Sequence, residues 1–184
     1  MQAFDAYLAT HHDRFITELK TFVAQPSVAA TGLGMAQMAD LVRAHLARIG
    51  ATVQTVETGG APILLATLGQ GPRTLLIYNH YDVQPPDPID LWTTPPFQPD
   101  VRDGKLYARG ISDNKGDLLC RLHAIEAWQH TIGTLPFKIT WVIEGEEETG
   151  SQHLGQFVRA HHALFDDADG CLWEFGAKDS HENP

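Results

Sequence analysis

The sequence predicts an α/β fold, a mostly parallel or mixed sheet with helices on both faces. Three observations carry that expectation. Residues 4–24 and 35–49 show apolar side chains at helical spacing. Short apolar runs at 74–78 and 137–143, bounded by turn residues, have the pattern of strands buried on both faces. After residue 70 such strands alternate with helical stretches, the chain order that builds a sheet flanked by helices. A length of 184 residues with 43% apolar composition suits one domain. A chain of that size buries ~70% of the surface its unfolded form exposes, enough for a core without staples.

The elements follow in order. Phe4, Leu8, Phe15, Leu19 and Phe22 line one side of the first helix, which should stop before Pro26 because a residue preceding proline disfavours the helical region. Met38, Leu41, Val42, His45, Leu46 and Ile49 line the second, and Gly50 caps it. Thr52–Thr58 and Pro62–Leu68 read as strands joined through Gly59-Gly60, a hairpin or nearly so. Thr74–Tyr78 is the first buried strand. Six of the 11 prolines fall between Pro85 and Pro99, so that stretch is an ordered loop. A helix over 115–129, a strand over Phe137–Ile143, a helix over Gln152–His162 and the start of a strand at Gly170–Trp173 complete the reading.

Charge and cysteine usage narrow the function. Thirteen Lys+Arg against 23 Asp+Glu give a net −10, the wrong sign for gripping nucleic acid or an anionic membrane. The same excess suits metal cations, or simply solubility. Two cysteines, Cys120 and Cys171, are too few for a disulfide scaffold or a four-thiolate zinc site and read as core residues. The opening Met1-Gln2-Ala3-Phe4-Asp5 lacks the pattern of a secretory leader, and no apolar run nears the ~20 residues of a membrane span. The expectation is a soluble, cytoplasmic protein.

Four places carry possible chemistry. His80 and Asp82 follow the apolar strand and share a face if the chain stays extended. Strand carboxyl ends are where α/β sheets bind ligands. A carboxylate on one imidazole nitrogen orients the other for a metal; a histidine and an aspartate in a loop are the plain alternative. Asp113, in Arg109-Gly110-Ile111-Ser112-Asp113-Asn114-Lys115-Gly116, stands where a helix begins and reads most simply as its N-cap. Ser112 is no serine-hydrolase nucleophile, because Asn114 stands where that elbow needs glycine. Glu144-Gly145-Glu146-Glu147-Glu148 leaves a core strand, and carboxylates packed there raise one another's pKa unless a cation neutralises them. Trp173-Glu174 ends another apolar run.

Taken together, His80-Tyr81-Asp82-Val83-Gln84-Pro85, Leu106-Tyr107-Ala108-Arg109-Gly110 with Asp113-Asn114-Lys115-Gly116, and Glu147-Glu148-Thr149-Gly150-Ser151 resemble the M20 metallopeptidases, in order and spacing most of all the branch with the carnosine dipeptidases. Gln25-Pro26-Ser27-Val28 and Leu91-Trp92-Thr93-Thr94-Pro95-Pro96-Phe97 resemble that branch too. Ala108, where the family often has glycine, and Asp117 are small departures that remove no functional group.

The resemblance implies a zinc-exopeptidase-like fold and a site with two zinc ions bridged by an aspartate, with manganese or cobalt as alternative metals. On it, Asp113 matches the bridging ligand, His80 and Glu174 ligands of one ion, and Glu148 a ligand of the other. Asp82 matches the carboxylate that orients His80, and Glu147 the general base for hydrolysis of an amide by metal-activated water. Asp166, Asp167 and Asp169 compete with Glu174 for the last ligand. A cis peptide is implied at Asp113–Asn114. Relatives of this kind are longer, with an inserted dimerisation domain and a further histidine ligand near their C-terminus. The chain therefore reads as the truncated N-terminal portion of one catalytic domain, with His181 in a polar loop. The further expectations are about one zinc held by this chain, little activity alone, and a homodimeric full-length enzyme acting on small peptides. Deacylation of N-acyl amino acids (acetylornithine or succinyl-diaminopimelate type) and a non-catalytic binding or oligomerising module are the alternatives.

Overall fold

The predicted segments, with a separate two-stranded hairpin beside their common sheet, make up the computed structural model, which describes residues 1–174. They run α1 (Gln2–Ala24), α2 (Met35–Arg48), β1 (Thr52–Val56), β2 (Ile63–Leu68), β3 (Thr74–His80), β4 (Asp100–Arg102), β5 (Lys105–Tyr107), α3 (Lys115–Thr131), β6 (Lys138–Glu144), α4 (Leu154–Ala160) and β7 (Gly170–Leu172). The main sheet has the order β1-β2-β6-β3-β7. β1, β2 and β6 pair antiparallel, whereas β6, β3 and β7 pair parallel, so the sheet is mixed. The β3–β6 register sets His80 opposite Glu144, which brings both strands' carboxyl ends to one rim.

Alternation along the strands sends successive side chains to opposite faces. Leu64, Ala66, Ile77, Ile139 and Trp141 meet Phe22 of α1, Met38, Val42 and Leu46 of α2, and Leu118 and Leu122 of α3. Ile63, Leu65 and Val142 meet Phe157 of α4 on the other face. Helices on both faces are therefore present, as the periodicity predicts. Trp141 is fully buried at the centre of the larger core, and truncation to alanine there would cost ~3–5 kcal/mol.

Several boundaries differ from expectation. β3 continues through Asn79 and His80, because the ladder with β6 extends that far. α3 runs two residues longer and α4 is shorter at both ends. Residues 100–107 form a hairpin that the apolar periodicity does not predict. Its turn, Asp103-Gly104, has φ of 50° and 74°, the two positive angles a tight hairpin turn requires. Asn114, not Asp113, is the N-cap residue of α3. Cys120 and Cys171 are exposed rather than core: Cys120 points off α3 away from its buried Leu118, Leu119 and Leu122, and β7 is an edge strand with all three residues exposed. Among the described residues no helix is long and apolar enough to cross a membrane. His181 lies outside the described residues.

Candidate metal centre

The rim where β3 and β6 end collects one imidazole and five carboxylates. His80, the last residue of β3, is fully buried. Its Nδ1 lies 3.2 Å from Asp82 Oδ1 and 3.1 Å from the Asp82 carbonyl oxygen. Its Nε2 lies 2.9 Å from Asp113 Oδ1, 3.2 Å from Glu174 Oε2 and 3.9 Å from Glu147 Oε2. His80 and Asp82 thus face one site. The second oxygen of Asp82 accepts the backbone N–H of Glu148 at 3.0 Å. Gln84 donates its side-chain amide to Glu148 Oε2 at 2.8 Å.

Local sequence explains how Asp113 reaches the imidazole. The Asp113–Asn114 peptide is cis, as the resemblance implies. Gly116 sits so close to the Ile111 carbonyl that a Cβ would fall 2.2 Å from its oxygen. Lys115 is fully buried and donates its ammonium to the carbonyls of Gln25 at 2.6 Å and Phe22 at 3.2 Å, tying the turn to the end of α1. Burial pulls the Lys115 pKa down to about 7.

The glutamates of the 144–148 run divide by role. Glu147 and Glu148 face His80. Glu146 turns away to pair with His153 at 2.7 Å. Glu144 is buried behind the rim, accepting Tyr78 Oη–H at 2.6 Å and Ser151 Oγ–H at 2.8 Å. Of the acids competing with Glu174, Asp166 pairs with His162 and Asp169 accepts the backbone N–H of Thr74, at the opposite end of β3.

Electrostatics favour a cation here. Burial lowers the His80 pKa, but Asp82 and Glu174 outweigh it and hold the imidazole up at about 11. Burial raises Glu147, and Glu174, Glu148 and Asp113 add to it against the opposing His80. Burial raises Glu148 too, with Asp113 and Asp82 adding and Gln84 and His80 opposing. One oxygen bears on the fit: Glu174 Oε2 is buried 3.2 Å from His80 Nε2 and, among the described residues, has no hydrogen-bond donor besides that shared nitrogen. His80 Nε2 carries at most one proton, which Asp113 Oδ1 at 2.9 Å and Glu174 Oε2 at 3.2 Å must share. Two carboxylate oxygens that share one imidazole proton are a set that a divalent ion, displacing that proton, would satisfy better. Ligands ~2.0–2.2 Å from a tetrahedral zinc stand roughly 3.3–3.5 Å apart, and the 2.9 and 3.2 Å separations at His80 need only a small spread. Two groups offer atoms within 4.8 Å of one another: His80, Asp113 and Glu148; and His80, Glu147 and Glu174. The set fits a divalent metal.

Two residues escaped the sequence reading. Asn79 is fully buried, and its Oδ1 accepts Trp141 Nε1–H at 3.0 Å and Arg121 at 2.6 Å. Arg121, on α3, also donates to the carbonyls of Tyr78 at 2.6 Å and Trp173 at 2.8 Å. The available signal was Asn79 itself: a polar residue in a buried strand needs partners.

Comparison with known proteins identifies the family. The family described as peptidase family M20/M25/M40 matches residues 76–181. A Beta-Ala-His dipeptidase of Mus musculus is 36% identical over 170 residues, 83% of this chain and 35% of the relative. A succinyl-diaminopimelate desuccinylase of Xylella fastidiosa is 36% identical over 141 residues, 74% of this chain and 37% of the relative. The crystal structure of human carnosine dipeptidase 1 superposes with a TM-score of 0.89 at 33% identity, covering 96% of this chain and 42% of that one. The chain spans roughly a third of the length of such relatives, and it belongs to the M20/M25/M40 peptidase family.

Proposed function

We propose that the chain is the metal-binding N-terminal portion of the catalytic domain of a zinc hydrolase that cleaves the amide bond of dipeptides. The observation that carries this is the convergence of Asp113 and the buried Glu174 oxygen on His80 Nε2. His80, Asp113 and Glu174 hold one ion; Asp113 and Glu148 contribute to a second. Asp82 fixes the His80 ring through Nδ1 and leaves Nε2 as the donor. A divalent ion held by these residues would supply a Lewis acid for the scissile carbonyl and a more acidic water. Glu147, part-exposed beside the cluster and raised in pKa, is placed to take a proton from water and deliver it to the leaving amine.

The dipeptidase relative supports this substrate class. A second reading, deacylation of an N-acyl amino acid, is supported by the desuccinylase relative of equal identity. Among the described residues the second ion has two carboxylates and no imidazole of its own, so it is held weakly and the chain binds about one zinc well. On this reading substrate-binding groups are supplied from outside the 184 residues, which alone have little activity. The net charge of −10 fits small substrates better than nucleic acid or membrane, and on this reading the full-length enzyme is a cytoplasmic homodimer. The test is a panel of dipeptides and N-acyl amino acids against the full-length product of the coding sequence, with and without zinc. Zinc-dependent dipeptide cleavage is expected. Turnover of N-acyl amino acids alone establishes the second reading, and equal dipeptide turnover after chelation overturns both.

A further inference from the structure

We propose that Arg121 is a positioning residue for the ion held at His80, setting two of its carboxylates through their chain neighbours. The inference rests on the reading of His80, Asp113 and Glu174 as ligands of one ion. A guanidinium presents five donors in a rigid planar fork, and Arg121 uses three acceptors on it: the Tyr78 carbonyl at 2.6 Å, Asn79 Oδ1 at 2.6 Å and the Trp173 carbonyl at 2.8 Å.

Each contact leads to the rim. The β3–β7 ladder ends at Leu172 opposite Ile77, so Trp173 and Glu174 lie beyond the paired strand. The Trp173 ring stacks on Tyr78, with centroids 3.9 Å apart, but remains half-exposed. The Arg121 bond to the Trp173 carbonyl is a polar tie that holds this backbone over β3, one residue before Glu174. On its other arm Arg121 fixes Asn79, whose Nδ2 donates to Asn114 Oδ1, the neighbour of Asp113. Asn79 cannot rotate, because Trp141 Nε1–H holds the same oxygen. One guanidinium therefore stands behind both carboxylates that meet His80 Nε2, and neither Asp113 nor Glu174 bonds to it directly. A lysine offers a compact charge without the planar fork and cannot span the three acceptors.

The test compares the wild-type chain with R121M and R121K by zinc competition against a chelator and by backbone hydrogen exchange of residues 172–174 without metal. R121M is expected to weaken zinc ~10–100-fold, the usual loss when a ligand's support is removed, and to speed exchange at 172–174. R121K falls between R121M and wild type in both, and it carries the test if R121M does not fold. Wild-type zinc affinity in a folded Arg121 variant overturns the inference alone. So does weakened zinc with unchanged exchange, since the effect then bypasses Trp173. A wild-type chain with no zinc affinity overturns the metal-centre reading itself, and this inference with it.

Discussion

Asp82 and Glu148 are joined by a hydrogen bond from the Glu148 backbone N–H to Asp82 Oδ2, at 3.0 Å, while the other Asp82 oxygen faces His80 Nδ1 at 3.2 Å. One buried carboxylate thus sets both the imidazole of one candidate ion and the backbone that presents the ligand of the other.

Replacing Asp82 with asparagine tests that double grip. An amide at this position cannot accept from both sides, so the His80 ring loses its fixed tautomer. D82N should stay folded and bind zinc ~10–100-fold more weakly, as measured by chelator competition. Unchanged affinity would separate Asp82 from the metal centre.

Glu147 and Glu148 are neighbours with different expected phenotypes. E147Q should retain zinc and, in the full-length protein, lower kcat by roughly 10²–10⁴-fold, the range for loss of a general base. E148Q should lower the number of ions bound. Metal analysis alongside turnover distinguishes the two, and zinc loss in E147Q would reassign Glu147 as a ligand.

Away from the rim, Glu18 joins three helices by accepting from Arg14 at 2.9 Å, Arg48 at 2.8 Å and His123 at 2.9 Å. Burial raises its pKa, but Arg48, His123 and Arg14 together overcome that and hold it down at about 2. A depressed carboxyl stabilises the fold above its unfolded pKa, ~4.3, and that contribution fades as pH falls towards 2. E18Q should therefore lose ~1–2 kcal/mol at pH 7, after discounting for solvent screening. The difference from wild type should shrink steadily below pH ~4. Denaturant melts across that range check it; a difference independent of pH would contradict the charge argument.

Gly116 allows the first turn of α3 to approach Ile111. Its alanine variant would put Cβ 2.2 Å from a backbone oxygen, which cannot rotate away. G116A should destabilise the chain by ~1–3 kcal/mol and weaken zinc, since the turn carries Asp113. Wild-type stability and zinc affinity would show that the turn relaxes freely.

Much of this was legible in the sequence because two periodicities dominate it. The apolar spacing of Phe15, Leu19 and Phe22, or Val42, Leu46 and Ile49, names helices, and the run Leu75-Leu76-Ile77 names a strand. Each strand end then offers an acid or imidazole whose direction follows from alternation. What stayed hidden depends on long-range pairing. No local signal tells that Cys171 sits on an exposed edge, since edge position is fixed by strand order. Likewise the bond from Arg121 to Trp173, 52 residues apart, exists only once α3 lies across β3. The β4–β5 hairpin was within reach, because Asp103-Gly104 is a strong turn dipeptide, but its flanking strands are only three residues each.

The central claim is that His80 and the carboxylates around it hold a divalent ion. Zinc titration of the chain and of H80A, read by chelator competition and thermal melting, tests it most directly. The wild-type chain should take up about one zinc tightly and gain stability as zinc exceeds its Kd, ~2.7 kcal/mol at a hundredfold excess. H80A should lose both effects. Equal zinc affinity in the two proteins would contradict the account.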